Sequence, residues 1–597
     1  MTIMDDFQNE IRTRVSAALK EMGAEGIDFV VESSTMEGVD MAVPCFPLAK
    51  AMKKAPQAIS DELASRIQPS GIIAAVTSVK GFLNFNIDPA SLTKSTLDEI
   101  IRCQGCYGSM PSSGLKVNVE HTSTNPTGPI HVGRARNPII GDTLARCLRK
   151  CGHEVVTEYY VNDVGKQVVV LTWGVNNVSD EEAAKNSEEH MKEIGQNEKE
   201  RDKTDHRLVA KYRVANKRME SEPAVQEEIS EMMRRFEQGD KEVIDTVRHT
   251  AEIMLDGLRE TLGQINVVLD RYTWESQYIA DGSAKDVVER LKKSKYAGQT
   301  EDGAWYVDLK DFGVQGKNTK FTFTRSDGTT LYTTRDLAYH LDKFTRADRL
   351  IDVLGEDQKL GSKQLCSALE ILGEDRLPEP LFYAFVSLPE GKMSTRKGVV
   401  VYLDDLIDEA VARAYEEIRS RRTNLSEEDI RKGRTEMSEE RMREVAKIVG
   451  VAAVRFNIVR VQPEKQFVFK WEEALNFDGN SGPYLQYVHA RACSMLRKAE
   501  GFVHDTDPAK LTNPQEVELI KILSRYEDVL RMAGNEKRIH MLPAYGHELA
   551  SAFNRYYADV PILNSDCRDA RLTLVECSKI VLANVLDCLG MGAPEEM

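Results

Sequence analysis

Apolar residues recur at helical spacing from Phe7 to Met22, from Leu92 to Cys103, and in Ile139, Ile140, Leu144, Cys147 and Leu148, so each stretch predicts a helix. Short apolar or alternating runs predict strands: Gly71-Ile-Ile-Ala-Ala-Val, Gly81-Phe-Leu-Asn-Phe-Asn-Ile, Leu115-Lys-Val-Asn-Val, Glu154-Val-Val-Thr-Glu-Tyr-Tyr, Arg349-Leu-Ile-Asp-Val-Leu and Phe382-Tyr-Ala-Phe-Val-Ser-Leu388. Strand 115–120, helix 131–150 and strand 154–160 make a βαβ unit, which implies a parallel sheet with a right-handed crossover. Residues from about 176 to 315 break this pattern with charged helices and then Val307-Asp-Leu-Lys, and read as an insertion between two halves of the fold. The second half resumes near Lys320, and a helix is predicted from Lys363 to Leu372. From Asp404 onward the pattern is helical: Asp404 to Arg422, Glu439 to Ile458, Tyr484 to Glu500, Pro514 to Met532, Pro543 to Tyr557 and Arg571 to Leu589.

With 597 residues the chain is too long for one core, so several domains are expected. The divisions fall at 1–112, a small α+β unit; 113–400, the α/β sheet with its insertion; 401–469, a helical linker; and 470–597, an all-α bundle. Met1-Thr-Ile-Met-Asp-Asp has neither a basic region nor an apolar run, and no stretch is long enough to span a bilayer, so a cytoplasmic protein without a membrane partner is expected. Ten scattered cysteines fit a reducing compartment. Cys103-x-x-Cys106 has half of a zinc spacing and Cys147, Cys151 and His153 form a looser group, but neither has a matching pair downstream, so no metal site is expected. A formal charge of −16 argues against a nucleic-acid partner, DNA included, but only weakly, because local arrangement governs phosphate binding more than the total. Much of the acidity lies in Ser179-Asp-Glu-Glu and the run to Asp205, which reads as a solvated helical face.

Two stretches carry candidate chemistry. In Glu120-His-Thr-Ser-Thr-Asn-Pro-Thr-Gly-Pro-Ile-His-Val-Gly-Arg-Ala-Arg136 a strand runs through a Pro/Gly turn into a helix, placing His131 and Gly133 where the first helix of an α/β unit begins. Backbone N–H groups and the positive dipole end favour an anion there, and Gly133 lets a bulky ligand approach the backbone. Gly391-Lys-Met-Ser-Thr-Arg-Lys-Gly398 follows a buried-strand pattern and supplies Lys392, Ser394, Arg396 and Lys397 on a loop, cations suited to a leaving polyphosphate. On its own, the first stretch is equally well read as a plain strand-to-helix turn.

Together the two resemble the His-Ile-Gly-His and Lys-Met-Ser-Lys-Ser signatures of class I aminoacyl-tRNA synthetases. The surroundings Asn125-Pro-Thr-Gly-Pro, Arg136-Asn-Pro-Ile-Ile-Gly-Asp142, Leu331-Tyr-Thr-Thr-Arg-Asp-Leu337 and Pro483-Tyr-Leu-Gln-Tyr-Val-His-Ala-Arg491 resemble the arginyl-tRNA synthetases, in the same order along most of the chain. The resemblance implies a Rossmann-type nucleotide-binding domain, ATP with Mg2+ as its companion, and L-arginine and tRNA(Arg) as substrates. It also implies an N-terminal domain touching the tRNA elbow and a helical anticodon-binding domain. Carried over residue by residue, it puts His131, Gly133, Arg134, Lys392 and Met393 at ATP, with Ser394, Arg396 and Lys397 completing the catalytic set. Tyr332, Asp336 and Glu275 then face the arginine side chain, and Glu120, Asn125 and Gln358 face its α-amino and carboxylate groups.

Two positions depart from the signatures: Arg134 replaces the second histidine, and Thr395 stands where the second lysine is usual. Three readings are open at this point: an arginine–tRNA ligase, another nucleotidyl transferase of the same fold, and a non-catalytic RNA-binding paralogue. The helical C-terminal quarter weighs against the second, and retention of His131, Lys392, Tyr332 and Asp336 against the third. Nothing in the sequence demands more than a monomer.

Overall fold

The computed structural model describes residues 3–34, 36, 38–193, 201–316, 319–387, 402–423 and 436–597. The N-terminal unit packs the helix Ile3–Glu21 through Phe7, Ile11, Val15 and Leu19, each four apart, onto an antiparallel sheet. That sheet has the order Glu32–Ser33, Met41–Pro44, Phe82–Ile87, Ile73–Val79. Asp88 caps the next helix, Pro89–Cys103, by accepting from Ser91 N, with proline at its first position.

The central sheet is wholly parallel, with the order Glu379–Tyr383, Arg349–Gly355, Lys116–Glu120, Glu154–Val161, Arg271–Trp274. The chain builds outward on one side for three strands and then on the other for two. The reversal lies between Lys116–Glu120 and Arg349–Gly355, the arrangement of a doubly wound nucleotide-binding fold.

The stretch read as an insertion, 176–315, is not one unit. Its helices Asp180–Glu193, Thr204–Ser221, Pro223–Glu237 and Lys241–Gln264 share a core with Lys166–Asn177, but Arg271–Trp274 then returns as the edge strand of the central sheet. Only afterwards does a small antiparallel sheet leave the fold, in the order Lys320–Thr322, Trp305–Asp308, Ala297–Gln299. A four-residue edge strand buried along part of one side carries too little apolar pattern to be read from sequence.

From Leu403 the chain is helical. Leu403–Arg422 packs on Glu439–Val459, and Gly482–Lys498, Pro514–Ser524, Tyr526–Gly534, Met541–Asp559 and Arg568–Cys588 form the C-terminal bundle. The stretch read as one helix from Pro514 to Met532 is two, broken at Arg525. The N-terminal unit and the bundle meet: Tyr107 OH donates to Leu523 O at 3.0 Å and Lys521 pairs with Asp40 at 2.7 Å. Fully buried Arg455 pairs with Asp142 at 2.5 Å and donates to Leu589 O and Ile265 O, each at 2.6 Å, tying the end of the chain to the helix Arg136–Lys150. No helix among the described residues is long and apolar enough to cross a membrane.

Candidate active site

All five parallel strands end at one edge, and a cavity of about 420 Å3 opens there. Glu120 closes one strand; Tyr160 and Asn162 come from the end of the next; Glu275 follows the edge strand; Val353 to Gly355 and Tyr383 close the other two. Ligands gather in such a crevice because the loops on either side of the reversal diverge. Two larger hollows, of about 820 and 690 Å3, are not lined by Glu120, Glu275, Asp336, His340 or Asp352, all five of which line this one.

The turn between Glu120 and the helix is strained at two positions. Thr122 has φ 74° and Ser123 φ 32°, a left-handed region that is costly for a β-branched threonine. Neighbours hold it there: Asn137 Oδ1 accepts from Thr122 N at 2.6 Å while Asn137 Nδ2 donates to Val353 O at 3.0 Å, so one amide ties the turn to the strand across the crevice. Tyr159 OH donates to Thr124 O at 2.6 Å.

The helix start differs from the sequence expectation. His131–Arg134 forms a tight turn whose N–H groups are largely spent within it: Gly133 N donates to His131 Nδ1 at 3.0 Å, Arg134 N to His131 O at 2.9 Å and Ala135 N to Val132 O at 2.9 Å. These three are therefore not a free anion cradle. The first bond also fixes the ring: with Nδ1 accepting, the neutral imidazole carries its hydrogen on Nε2. Arg134 is exposed and lines the cavity, whereas His131 and Gly133 are not among the lining residues. Backbone pairing between His131 and Tyr402, with Leu403 N donating to Ile130 O at 2.8 Å, joins this turn to the start of the helical region. Lys392, Met393, Ser394, Arg396 and Lys397 lie outside the described residues.

Charge in the cavity wall forms a connected string. Lys343, fully buried, donates to Glu120 Oε2 and to Asp352 Oδ1, each at 2.8 Å. His340 faces Asp352 Oδ2 at 3.0 Å through Nε2 and Asp336 Oδ1 at 3.1 Å through Nδ1. Burial and Lys343 push the His340 imidazolium down, but Asp336 and Asp352 outweigh them and lift its pKa to about 10. Burial pushes Asp352 up, yet Lys343 and His340 hold it well below the usual carboxylate range. On the opposite wall Glu275 accepts from Arg335 Nε at 2.5 Å, and Asn162, with its amide nitrogen turned inward, donates to Glu275 Oε2 and Val164 O at 2.8 Å. Burial nevertheless pushes Glu275 up to about 7 against the pull of Arg335, and Asp163 and Asp336 add to the push.

Of the side-chain contacts expected for a basic ligand, Glu120, Asn125, Glu275, Tyr332, Asp336 and Gln358 all line this cavity. Tyr332 and Asp336 sit one turn apart on the helix Tyr332–Arg346, with Tyr332 67% exposed. Asn125 donates to Gln167 Oε1 at 3.4 Å and Gln358 to Asp357 Oδ2 at 3.4 Å, so both are loosely held. Sequence reading missed Tyr160, Arg335, His340, Lys343 and Asp352. One signal was available: Asp352 interrupts the apolar strand Arg349–Gly355, and a carboxylate there demands a buried cation.

The comparisons with known proteins agree with one another. A family model described as tRNA synthetases class I (R), catalytic domain, matches residues 96–471. A second, the DALR anticodon binding domain, matches 485–597, and a third, the Arginyl tRNA synthetase N terminal domain, matches 9–87. The arginine–tRNA ligase of Methanocella arvoryzae is 43% identical over 97% of this chain and 97% of its own. That of Methanocaldococcus jannaschii is 38% identical over 98% of this chain and all of its own. Among solved structures, Thermus thermophilus arginyl-tRNA synthetase superposes with a TM-score of 0.80 at 27% identity, covering 99% of this chain and 100% of that one. With a nucleotide-binding sheet, a carboxylate-lined crevice at its switch point and full-length relatives of one kind, the chain belongs to the arginyl-tRNA synthetases of class I.

Proposed function

We propose that the chain joins L-arginine to tRNA(Arg) in two steps, with arginine activated by ATP in the cavity at the carboxyl edge of the sheet. The observation that carries this reading is a surplus of negative charge. Glu120, Asp336 and Asp352 face Lys343 and His340, three carboxylates against two cations, and Asp336 has its side chain 37% exposed. A guanidinium stays charged at every working pH and fits a carboxylate as a two-pronged fork. Asp336 and Tyr332 take the arginine side chain, with Glu275, already held by Arg335, on the other wall, while Glu120, Asn125 and Gln358 hold the α-amino and carboxylate groups.

In the first step the arginine carboxylate attacks the α-phosphorus of ATP in line; the bond to the bridging oxygen breaks and pyrophosphate leaves, giving arginyl-adenylate. Both reactants carry their charge already, so no protein nucleophile or base is required, and positioning and charge stabilisation carry the step. His131 donates a hydrogen bond through Nε2, Arg134 supplies permanent charge, and Gly133 offers no side chain to obstruct the nucleotide. Lys392, Met393, Ser394, Arg396 and Lys397 serve the nucleotide and the leaving pyrophosphate. Mg2+ enters with ATP. The groups Glu120–His340–Asp352 and Asp205–His206–Asp404 have ligand-type side chains, but Lys343 and Lys203 already place an ammonium against their carboxylates. In the second step a ribose hydroxyl at the tRNA 3′ end attacks the adenylate carbonyl and AMP leaves.

Residues 470–597 grip the anticodon arm and 1–112 the elbow, with 401–469 linking them to the sheet. The chain acts as a monomer in the cytoplasm, where ten cysteines, all free, are at home. Arginine-dependent ATP–pyrophosphate exchange, run with and without tRNA(Arg) and followed by charging, tests the reading. Exchange and charging with arginine and not with lysine or citrulline are expected. Exchange driven by a different acid would favour another nucleotidyl transferase, and RNA binding without exchange a non-catalytic protein.

A further inference from the structure

The strand Glu154–Val161 ends in two adjacent tyrosines that the pleat sends to opposite faces. Tyr159 goes into the core, where its hydroxyl is satisfied by Thr124. Tyr160 goes into the cavity wall and stacks on Tyr339, with ring centroids 4.3 Å apart and planes 15° from parallel. Its backbone N–H donates to Ser123 Oγ at 3.1 Å, which anchors the residue to the strained turn. The Tyr160 hydroxyl, by contrast, is buried and has no hydrogen-bond partner among the described residues. A polar atom left unpaired in a packed wall is uncommon and calls for an explanation, and one is a ligand that completes it.

The surroundings state which ligand group fits. Glu275, Asp336 and Arg335 all act on Tyr160 electrostatically. Burial, then the two carboxylates, raise its phenol well above the usual range, so it stays a neutral hydroxyl with lone pairs to offer. Glu275 already has Arg335 on one oxygen and Asn162 on the other, and Asp336 has His340 beside Oδ1. A guanidinium brings five N–H donors in a fixed plane, of which a single carboxylate takes two. The remainder need acceptors that do not clash with Arg335.

We infer that Tyr160 is a specificity-determining residue of this cavity, its hydroxyl accepting a guanidinium N–H that Asp336 does not reach. The inference rests on the assignment of the cavity to arginine, and its test separates the two. Tyr160→Phe keeps the ring and its stack on Tyr339 and removes only the acceptor. It is expected to raise the arginine KM on the order of tenfold or more, because a charged N–H is left unpaired in a desolvated site. The ATP KM and kcat should stay within about twofold on the same reasoning. Without arginine the Tm of Tyr160→Phe should be no lower than wild type, and at saturating arginine its rise should be smaller than wild type's, a pattern that a purely structural hydroxyl would not give. Asp336→Asn is measured alongside. If Asp336→Asn raises the arginine KM and Tyr160→Phe does not, the role of Tyr160 is overturned and the cavity assignment stands. If neither moves it, the assignment itself fails. Equal losses in the arginine and ATP KM for Tyr160→Phe would also overturn the inference.

Discussion

Glu120, His340 and Asp352 around Lys343, and Asp205, His206 and Asp404 around Lys203, are two versions of one arrangement: a histidine and two carboxylates gathered at a buried ammonium. In the second, Lys203 lies 3.2 Å from both carboxylates, His206 faces Asp404 at 3.3 Å, and none of the four side chains exceeds 5% exposure. It closes three helices on one another. Thr261 Oγ1 donates to Asp404 Oδ1 at 3.0 Å, and Gly257 leaves room for Asp205, whose Cβ would lie 2.6 Å from any added Cβ. The first cluster uses the same kinds of side chain at the end of the sheet, with Glu120 in place of one aspartate, and it has one member more. Asp336 joins through His340 and opens on the cavity, whereas every side chain of the second cluster is closed off. The difference teaches that residue types alone do not make a site. What does is a carboxylate left open to a cavity at the edge where the strands end.

Breaking the balance at the first cluster should have the largest effect. Lys343→Met leaves Glu120 and Asp352 facing each other with their shared cation gone. A loss of about 3 to 5 kcal/mol in unfolding free energy is expected, together with loss of arginine activation. Urea denaturation checks the first part, and an unchanged midpoint would mean that the ammonium does not neutralise this wall.

At the closed cluster, Asp404→Asn keeps one acceptor for Lys203 and removes a charge. It should cost about 1.5 to 3 kcal/mol of stability and leave the arginine KM within about twofold. A tenfold rise in that KM would make the second cluster part of the site rather than a lock between helices.

The pH dependence sharpens the comparison further. His340 is held at about 10 against an ordinary 6.5. A raised pKa in the folded state means that the imidazolium stabilises the protein fully below about 6.5 and that this contribution is lost as pH rises through 10. Unfolding free energy measured between those limits should fall with pH in the wild type and fall less steeply in His340→Gln. Parallel slopes would show that His340 is not charged in the fold.

The sequence was most legible where chemistry and local pattern coincide. The turn from Glu120 to Arg136 could be placed because its turn residues and the helical period after it mark it, whereas Tyr332 and Asp336 were placed by resemblance to the family. The string Glu120–Lys343–Asp352–His340 could not, because its members meet only when strands 116–120 and 349–355 pair. Arg271–Trp274 was hidden by its four-residue length at the sheet edge. At the helix start the sequence suggested free N–H groups, but His131 turns its own Nδ1 onto Gly133, a choice of rotamer that no residue pattern encodes.

The central claim is that the surplus carboxylate Asp336 recognises a guanidinium. It is tested most directly by steady-state arginine activation in Asp336→Asn beside Asp404→Asn. Removing one partner of a desolvated charge pair costs about 3 to 5 kcal/mol, so the arginine KM of Asp336→Asn should rise by roughly two to four decades. The ATP KM should stay within about threefold, and Asp404→Asn should shift neither. Equal changes in the two KM values for Asp336→Asn, or an arginine KM that does not move, would contradict the account.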